Sequence, residues 1–491
     1  MRVVIVGAGT SGIATAIELV NNGFTNITMI DKGNMIEKRK CFVDADTPCK
    51  KCKTCSIVHG VGGAGSYSDS KLNFDPTGRV GGDMYNLMTK EEIVEYLKKT
   101  YKIYQQFGIE EFKSKIYGLE YTKEGQEIVD IVKNNPRLDI GECTTLHLGS
   151  ENSRIVYQRM IDYLLSKGVK ILSNTELISL KKDNNFQLTI RHNHNINVIV
   201  ADKVVLAMGR SGNKLIKDIC KDNDIKFKNG RVDIGVRVEC PNEVMQKLND
   251  NFYECKIYFQ GSFGDKARMF CTNPSGFVTV ESYPYQNKSI YMANGHAYRN
   301  THSNNTNFAI LVSRNFNEDL QDPLNDYVYP SANVGNSLGK GSVILQSLQD
   351  IKLYRRSTEE RIKELDIKPT ANVYKGDITS AIPYRTLMTI LEFLEELDKI
   401  VPGIYGDNTL LYYPELKLHS NKVEIDKYGK TSVDGIYCIG DVSGICRGLT
   451  TAFSMGIACA ESILNDGFVL NKDWKWYNII NFTIVLYYET K

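Results

Sequence analysis

Val3-Val4-Ile5-Val6-Gly7-Ala8-Gly9-Thr10-Ser11-Gly12 is the stretch that decides the fold of this chain. Four apolar residues read as a strand buried on both faces, and three glycines at G-x-G-x-x-G spacing turn it into a helix. Such a turn aims backbone N–H groups and the positive end of the helix dipole at whatever lies in front of it, which favours a diphosphate. The spacing alone is a weak signal, because the chain has 39 glycines and Gly60-Val61-Gly62-Gly63-Ala64-Gly65 fits the same pattern. Context gives the N-terminal copy its weight. Ile13 to Val20 continues with a helical apolar period, and Ile27-Thr28-Met29-Ile30 supplies a second strand that ends in Asp31. That acid lies 19 residues beyond Gly12, where a ribose diol needs a carboxylate acceptor. The reading is a dinucleotide site.

More than 400 residues later, Gly435-Ile436-Tyr437-Cys438-Ile439-Gly440-Asp441 is again a short apolar strand followed by Gly-Asp. Between the two ends, Glu91 to Phe107 and Ile155 to Ser166 have helical period, and Val169 to Ser173 can form a parallel strand. From Glu176 to Val200 the pattern changes to short alternating runs separated by polar turns, which reads as an antiparallel meander. It leads into Val204-Val205-Leu206-Ala207-Met208-Gly209, a buried strand with a glycine turn that returns the chain to the dinucleotide domain. A helix over Thr386 to Ile400 precedes the closing strand. The expected fold class is α/β, a Rossmann-like dinucleotide-binding domain with an inserted mixed α+β substrate domain. The expected boundaries are 1–212 for the first part of the dinucleotide-binding domain, including cysteine-rich and glycine-rich loops at 41–82, then 213–384 for the insertion, 385–466 for the closing part and 467–491 for a C-terminal extension.

A length of 491 residues asks for two or three domains or subdomains. With 60 basic and 58 acidic residues the net charge is +2, which gives no reason to invoke nucleic acid or an anionic membrane. The expected partner is a small-molecule substrate. No signal-peptide pattern is present at the start, and the apolar run Ile479 to Tyr488 is about half of what a membrane helix requires, so a cytoplasmic location is expected.

Twelve cysteines in such a chain argue against a disulfide framework. Eight are scattered, and several lie in apolar surroundings, where a thiol behaves as a small hydrophobe. Cys41, Cys49, Cys52 and Cys55 are different: the last three have C-x2-C-x2-C spacing, which lets a folded loop direct several thiolates at one centre. Lys50, Lys51 and Lys53 would offset thiolate charge and also lower the thiol pKa values. An iron–sulfur cluster, zinc, redox thiols and an inert loop all stay open, with the tight run favouring iron–sulfur over zinc.

A set of motifs in this order carries a resemblance. They are Lys40-Cys41 with the cysteine triplet, Gly62-Gly63-Ala64-Gly65-Ser66-Tyr67-Ser68-Asp69-Ser70-Lys71-Leu72, Gly235-Val236-Arg237-Val238-Glu239, Asn294-Gly295-His296, Asn305-Thr306-Asn307-Phe308-Ala309, Arg355-Arg356-Ser357-Thr358, and Gly440-Asp441 with Arg447-Gly448-Leu449. With the opening glycines, the Ala207-Met208-Gly209 turn and the late Gly440-Asp441 in order, the chain resembles two-domain flavoproteins of the glutathione-reductase type. More narrowly, it resembles the uncharacterised FAD-dependent dehydrogenases, which are distantly similar to aminoacetone-oxidase-like flavoproteins. The resemblance implies that Gly7, Gly9 and Gly12 approach the FAD pyrophosphate and that Asp31 binds the adenosine ribose. It implies that Asp441 binds the ribityl chain, and that the helix beginning near Arg447, Gly448 and Leu449 points at the flavin pyrimidine edge, where a reduced flavin carries negative charge. Gly62, Gly63 and Gly209 join the same cofactor set.

Candidates for proton transfer and substrate binding are His296, Arg237 and Glu239, with Arg355 and Arg356 in similar motif-like stretches. A histidine serves as acid or base near neutral pH, and Arg237 and Glu239 alternate along a strand so that both face one way, toward a substrate or into an internal ion pair. No second glycine fingerprint sits in a strand–turn–helix context, as a dedicated NAD(P)H domain would need. Three sources of reduction stay open: the substrate, an electron carrier acting through the cysteine cluster, and NAD(P)H as a transient reductant. The expected function is an FAD-dependent oxidoreductase, a dehydrogenase or reductase acting on an unknown organic substrate. Its rivals are a non-redox flavin-binding or tRNA-modifying module and a flavin monooxygenase.

Overall fold

The computed structural model describes residues 1–41, 52, 54–68, 70–118, 121–141, 143–252, 255–285, 288–297, 301–314, 316, 320, 322–417 and 421–466. The chain divides into two compact units. One takes Met1–Leu119, Cys143–Lys228 and the chain from Asn421 onward; the other takes Glu120–Glu142 and Asn229–Ser420.

The first unit is built on a five-stranded parallel sheet in the order Ile436–Cys438, Lys203–Leu206, Val3–Val6, Ile27–Ile30, Lys170–Leu172. Val3 pairs with both Lys203 and Ile27, so the N-terminal strand is central and the chain leaves it in both directions across the sheet. A parallel sheet is covered on both faces, which is why this strand is an unbroken apolar run with every residue buried. The position beside it, where strand order reverses, is the crevice in which open α/β sheets take their ligands. At that edge the ladder extends past the strand ends: Gly7 N–H donates to the Ile30 carbonyl at 2.8 Å and Ala207 N–H to the Val6 carbonyl at 2.7 Å.

The helix Thr10–Asn21 buries ten of its twelve residues. Its partner is the helix Leu449–Asn465. Gly456 makes this contact close, since a Cβ there would lie 2.8 Å from the Ala14 Cβ, and the Thr15 hydroxyl donates to the Gly456 carbonyl at 3.0 Å. Residues 10–21 and 449–465 are thus packed side by side. The meander expected from the alternating runs forms a three-stranded antiparallel sheet of Thr175–Lys182, Phe186–His192 and Asn195–Ala201. The expected helices appear as Lys90–Gln106, opened by a Thr89–Glu92 capping box, and Ser150–Ser166.

The second unit is an eight-stranded mixed sheet with helices. Its order is Tyr374–Lys375, Ile344–Ser347, Leu410–Lys417, Val232–Pro241, Asn305–Arg314, Lys266–Asn273, Ile257–Gln260, Leu138–Ile140. These units differ from the boundaries expected from sequence. Residues 385–420 belong to the second unit, because Leu410–Lys417 pairs with Val232–Pro241 and the helix Tyr384–Asp398 packs on the same sheet. Phe393 of that helix stacks on Phe259 with centroids 4.9 Å apart, a contact worth about 1 kcal/mol beyond its burial. Residues 120–142 also belong there, through pairing of Leu138–Ile140 with Ile257–Phe259. The expected extension 467–491 lies outside the described residues. Among the described residues no helix is long and apolar enough to cross a membrane.

Candidate functional site

A cavity of about 400 Å³ lies within the first unit at the C-terminal ends of the parallel strands. The glycine turn forms one wall. Gly7 has φ +106, and a Cβ there would collide with the Ala207 carbonyl, so only glycine lets the turn close against the neighbouring strand. A Cβ on Gly12 would strike the Gly7 carbonyl and sit 3.1 Å from Ile5 Cγ2, so Gly12 seats the helix on the strand. Gly9 differs: its φ is −90, and a Cβ there would meet only the Gly63 Cα, at 3.6 Å. A substituent there would fit in ordinary contact beside Gly63 at the cavity, so this glycine is no packing requirement and leaves the backbone accessible to a ligand. Gly9 is the N-cap of the helix Thr10–Asn21, which has no side-chain cap and no acidic residue in its first turn. No side chain of the helix's own first turn therefore compensates the positive end that faces the cavity.

Asp31 lines the same cavity at the end of the second strand. Its Oδ1 accepts from Gly33 N–H at 2.9 Å and its Oδ2 from Ala8 N–H at 3.1 Å. These bonds lock the carboxylate and leave a lone pair on each oxygen for hydroxyl donors. Burial pushes the Asp31 carboxyl above its ordinary value, with the two backbone N–H groups pulling back.

The glycine-rich loop that follows is held by a residue that the sequence motifs did not single out. Arg39 is 0 % exposed. Its Nε donates to the Ser56 carbonyl at 2.9 Å, Nη2 to the Ile57 carbonyl at 3.0 Å, and Nη1 to both the Val61 carbonyl and the Ser66 hydroxyl at 2.9 Å. The guanidinium also lies over the Tyr67 ring, 4.5 Å from its centroid, while burial pulls its pKa down to about 10. This anchor brings Gly63 against Gly9, with the Gly62 N–H donating to the Ala8 carbonyl at 2.8 Å. His59, in the same loop, lines the cavity and is held neutral, its pKa pulled down to about 4 by burial and then by Lys32.

A further part of the wall comes from residues 441–452. Asp441, Arg447, Gly448 and Leu449 line it, and Gly440 lies behind with its Cα close to the Ser11 side chain. The helix Leu449–Asn465 starts here, again without an acidic residue in its first turn. Two helix N-termini therefore open onto one cavity. Of the cofactor residues expected from the sequence, Gly7, Gly9, Asp31, Gly63, Gly209, Asp441, Arg447, Gly448 and Leu449 line it, while Gly12, Gly62 and Gly440 pack directly behind.

The other candidates sit elsewhere, since every lining residue of the cavity belongs to the first unit. Arg237 and Glu239 lie in the second unit, both 0 % exposed. Arg237 pairs through Nε with Glu415 at 2.9 Å and donates to the Cys271 carbonyl and the Asn294 side chain at 3.0 Å each. Glu239 accepts from Asn305 at 3.0 Å, from the Thr370 hydroxyl at 2.5 Å and from the Tyr412 hydroxyl. Burial raises its carboxyl pKa, with these donors opposing. The two residues thus hold separate internal networks. His296 ends the strand Lys288–His296, opposite Phe277 in the hairpin. Arg355 is bonded to Asp350 at 2.6 Å and Arg356 to the Tyr374 hydroxyl at 2.9 Å. Of the clustered cysteines, Cys41 and Cys52 are exposed, Cys55 is half-buried and Cys49 lies outside the described residues. Among the described residues no three His, Cys, Asp or Glu side chains are grouped as a metal ion requires.

No protein-family model matches the chain, and no curated protein matches it. Solved structures with a detectable likeness include the flavin-dependent halogenase CmlS, at 11 % identity and a TM-score of 0.37 over 94 % of this chain and 57 % of that one. Another is p-nitrophenol 4-monooxygenase PnpA from Pseudomonas putida DLL-E4, at 10 % identity and a TM-score of 0.38, covering 95 % of this chain and 80 % of that one. A third is the glycerol-3-phosphate dehydrogenase from Bacillus halodurans complexed with FAD, at 11 % identity and a TM-score of 0.39 over 95 % and 64 %. The chain spans less than two thirds of the length of the halogenase and of the dehydrogenase. TM-scores below 0.5 decide nothing about family or activity.

Proposed function

We propose that this chain is an FAD-dependent oxidoreductase, a dehydrogenase or reductase that passes electrons or hydride between the flavin and an organic substrate. One observation carries the reading: Gly7, Gly9 and Asp31 from the start of the sequence and Asp441, Gly448 and Leu449 from its end line a single cavity. A site for a simple nucleotide diphosphate needs only the first helix N-terminus and the carboxylate. The second helix N-terminus, on the same cavity, supports a ligand with a further electron-rich group, as a flavin ring is when reduced.

The residues present fit FAD. The space in front of Gly9 and the helix Thr10–Asn21 would hold the diphosphate, and the locked Asp31 oxygens would accept the ribose hydroxyls. Asp441 would hold the ribityl hydroxyls, and the start of the helix Leu449–Asn465, with Arg447, would face the ring. When bound, FAD supplies the redox chemistry. The chain's own part is to orient the cofactor by fixed backbone N–H groups and carboxylates, and to present positive potential where the ring gains charge.

The test is to load the purified chain with FAD, reduce it with light in the absence of oxygen, and follow reoxidation by candidate acceptors in a stopped-flow instrument. Rapid cycling with an organic acceptor supports the proposal. A bound flavin that resists reduction favours the non-redox module. Fast oxygen consumption with a hydroxylated product would make the enzyme a monooxygenase.

A further inference from the structure

Asp83 is buried next to the cavity without lining it. The segment that carries it is strapped to the start of the helix Leu449–Asn465. Gly82 forms an isolated antiparallel bridge with Cys446, and Asp83 N–H donates to the Ile445 carbonyl at 2.8 Å. The Gly81 carbonyl accepts three bonds, each 2.7 Å, from the N–H groups of Arg447 and Gly448 and from the Thr451 hydroxyl. Gly81 and Gly448 touch backbone to backbone, a Cβ on either falling 3.0 Å from the Cα of the other. In this frame the Asp83 Oδ2 lies 3.3 Å from Arg447 Nη2 and 3.9 Å from Lys422 Nζ. Of the three charged residues Asp83, Lys422 and Arg447, it is Arg447 that lines the cavity. A second carboxylate, Asp441, faces the same region: after burial itself, Asp441 and Asp83 are what push the Cys446 thiol up.

We propose that Asp83 is a positioning residue: it holds the Arg447 guanidinium at the cavity wall and offsets its charge, and so sets how readily a ring bound beside the helix Leu449–Asn465 accepts electrons. The inference rests on the reading of the cavity as an FAD site. Its physical basis is distance. A buried unit charge beside the cavity would act on a bound ring through a medium far less screening than water, so its loss would change the ratio of reduced to oxidised flavin by about tenfold. Removal of the negative charge favours the reduced, more negative cofactor; removal of the positive charge disfavours it.

The experiment uses the full chain in three variants, Asp83→Asn, Asp83→Glu and Arg447→Met. Each is first titrated with FAD by fluorescence and then equilibrated anaerobically with a reference redox dye. The expected result is that Asp83→Asn raises the reduced-to-oxidised ratio at a fixed dye ratio by about tenfold, Asp83→Glu restores it toward the wild-type value, and Arg447→Met lowers it. A ratio unchanged within about twofold in Asp83→Asn, or a shift of the same sign in Asp83→Asn and Arg447→Met, overturns the proposal. If Asp83→Asn does not fold, Arg447→Met decides alone, and a rise or no change overturns it. Failure of the wild-type chain to take up FAD removes the site assignment beneath the proposal, a result visible in the titration before any redox measurement.

Discussion

Replacing Gly9 and Gly12 separately by alanine should split binding from folding within one glycine turn. At Gly9 the added methyl would meet only Gly63 Cα, at 3.6 Å, and the backbone φ of −90 suits any residue. Loss of an alanine-poor N-cap preference and gain from a stiffer unfolded chain nearly cancel, so stability should change by less than about 1 kcal/mol. The methyl, however, occupies the space in front of the helix N-terminus. If it displaces a diphosphate from two first-turn N–H groups, each a bond to a charged acceptor worth about 1.5–3 kcal/mol, FAD affinity should fall by about two to four powers of ten. At Gly12 the methyl would strike the Gly7 carbonyl and crowd Ile5 Cγ2 at 3.1 Å, both part of the sheet and its turn. The helix can relieve that contact only by lifting off the strand, which costs about 1–3 kcal/mol or more. Thermal unfolding without cofactor and fluorescence titration with FAD read the two effects. Near wild-type FAD affinity in Gly9→Ala would refute the reasoning, because it would show that nothing sits in front of that turn.

Three further outcomes follow from particular groups. His59 is held neutral by burial, with a folded pKa of about 4 against an ordinary 6.5, so the unfolded state binds more protons between these values and stability falls as pH drops through that window. The loss should be about 2 kcal/mol after solvent screening, and His59→Gln should lose less between pH 7 and pH 4; parallel melting curves for both proteins would contradict this. Arg39→Lys keeps the charge but cannot reach the Ser56, Ile57 and Val61 carbonyls and the Ser66 hydroxyl together, so it should cost about 3 kcal/mol and weaken FAD binding by loosening Gly63; a variant with unchanged melting temperature would show that the loop is held otherwise. Glu415→Met leaves Arg237 charged and buried without its partner, which should cost about 3–5 kcal/mol, while the double substitution Arg237→Met with Glu415→Met should be milder; equal or additive losses by chemical denaturation would deny that the two act as a pair.

The parts of this structure that were legible in the sequence are those whose physics is local. An apolar run, a glycine turn, a helical period and a second apolar run within about thirty residues are enough to place Gly7, Gly9, Gly12 and Asp31; Gly7, Gly9 and Asp31 line the cavity and Gly12 packs behind it. The late Gly440-Asp441 was legible for the same reason. Arg39 was not, because its importance arises only when residues 56–66 wrap its guanidinium, and no spacing rule marks a side chain that serves carbonyl oxygens. Asp83 was hidden likewise, since its partner Arg447 is brought to it by a backbone bridge between distant segments. The return to the first unit was expected near residue 385 and occurs at Asn421, because the strand Leu410–Lys417 looks like any apolar run until its pairing with Val232–Pro241 is known. Strand alternation correctly placed Arg237 and Glu239 two residues apart on one strand, but alternation cannot say whether that face is covered. Here it is, and the two charges are matched by Glu415 and by Tyr412, Thr370 and Asn305 rather than by each other.

Equilibrium titration of the purified, cofactor-stripped chain with FAD, with parallel titrations of FMN and ADP, decides whether residues 7–31 and 441–449 together hold one flavin dinucleotide. Saturation at one FAD per chain is expected, with FMN and ADP each binding far more weakly because each satisfies only part of the site. A chain that takes up no FAD, or that binds ADP as tightly as FAD, would contradict it.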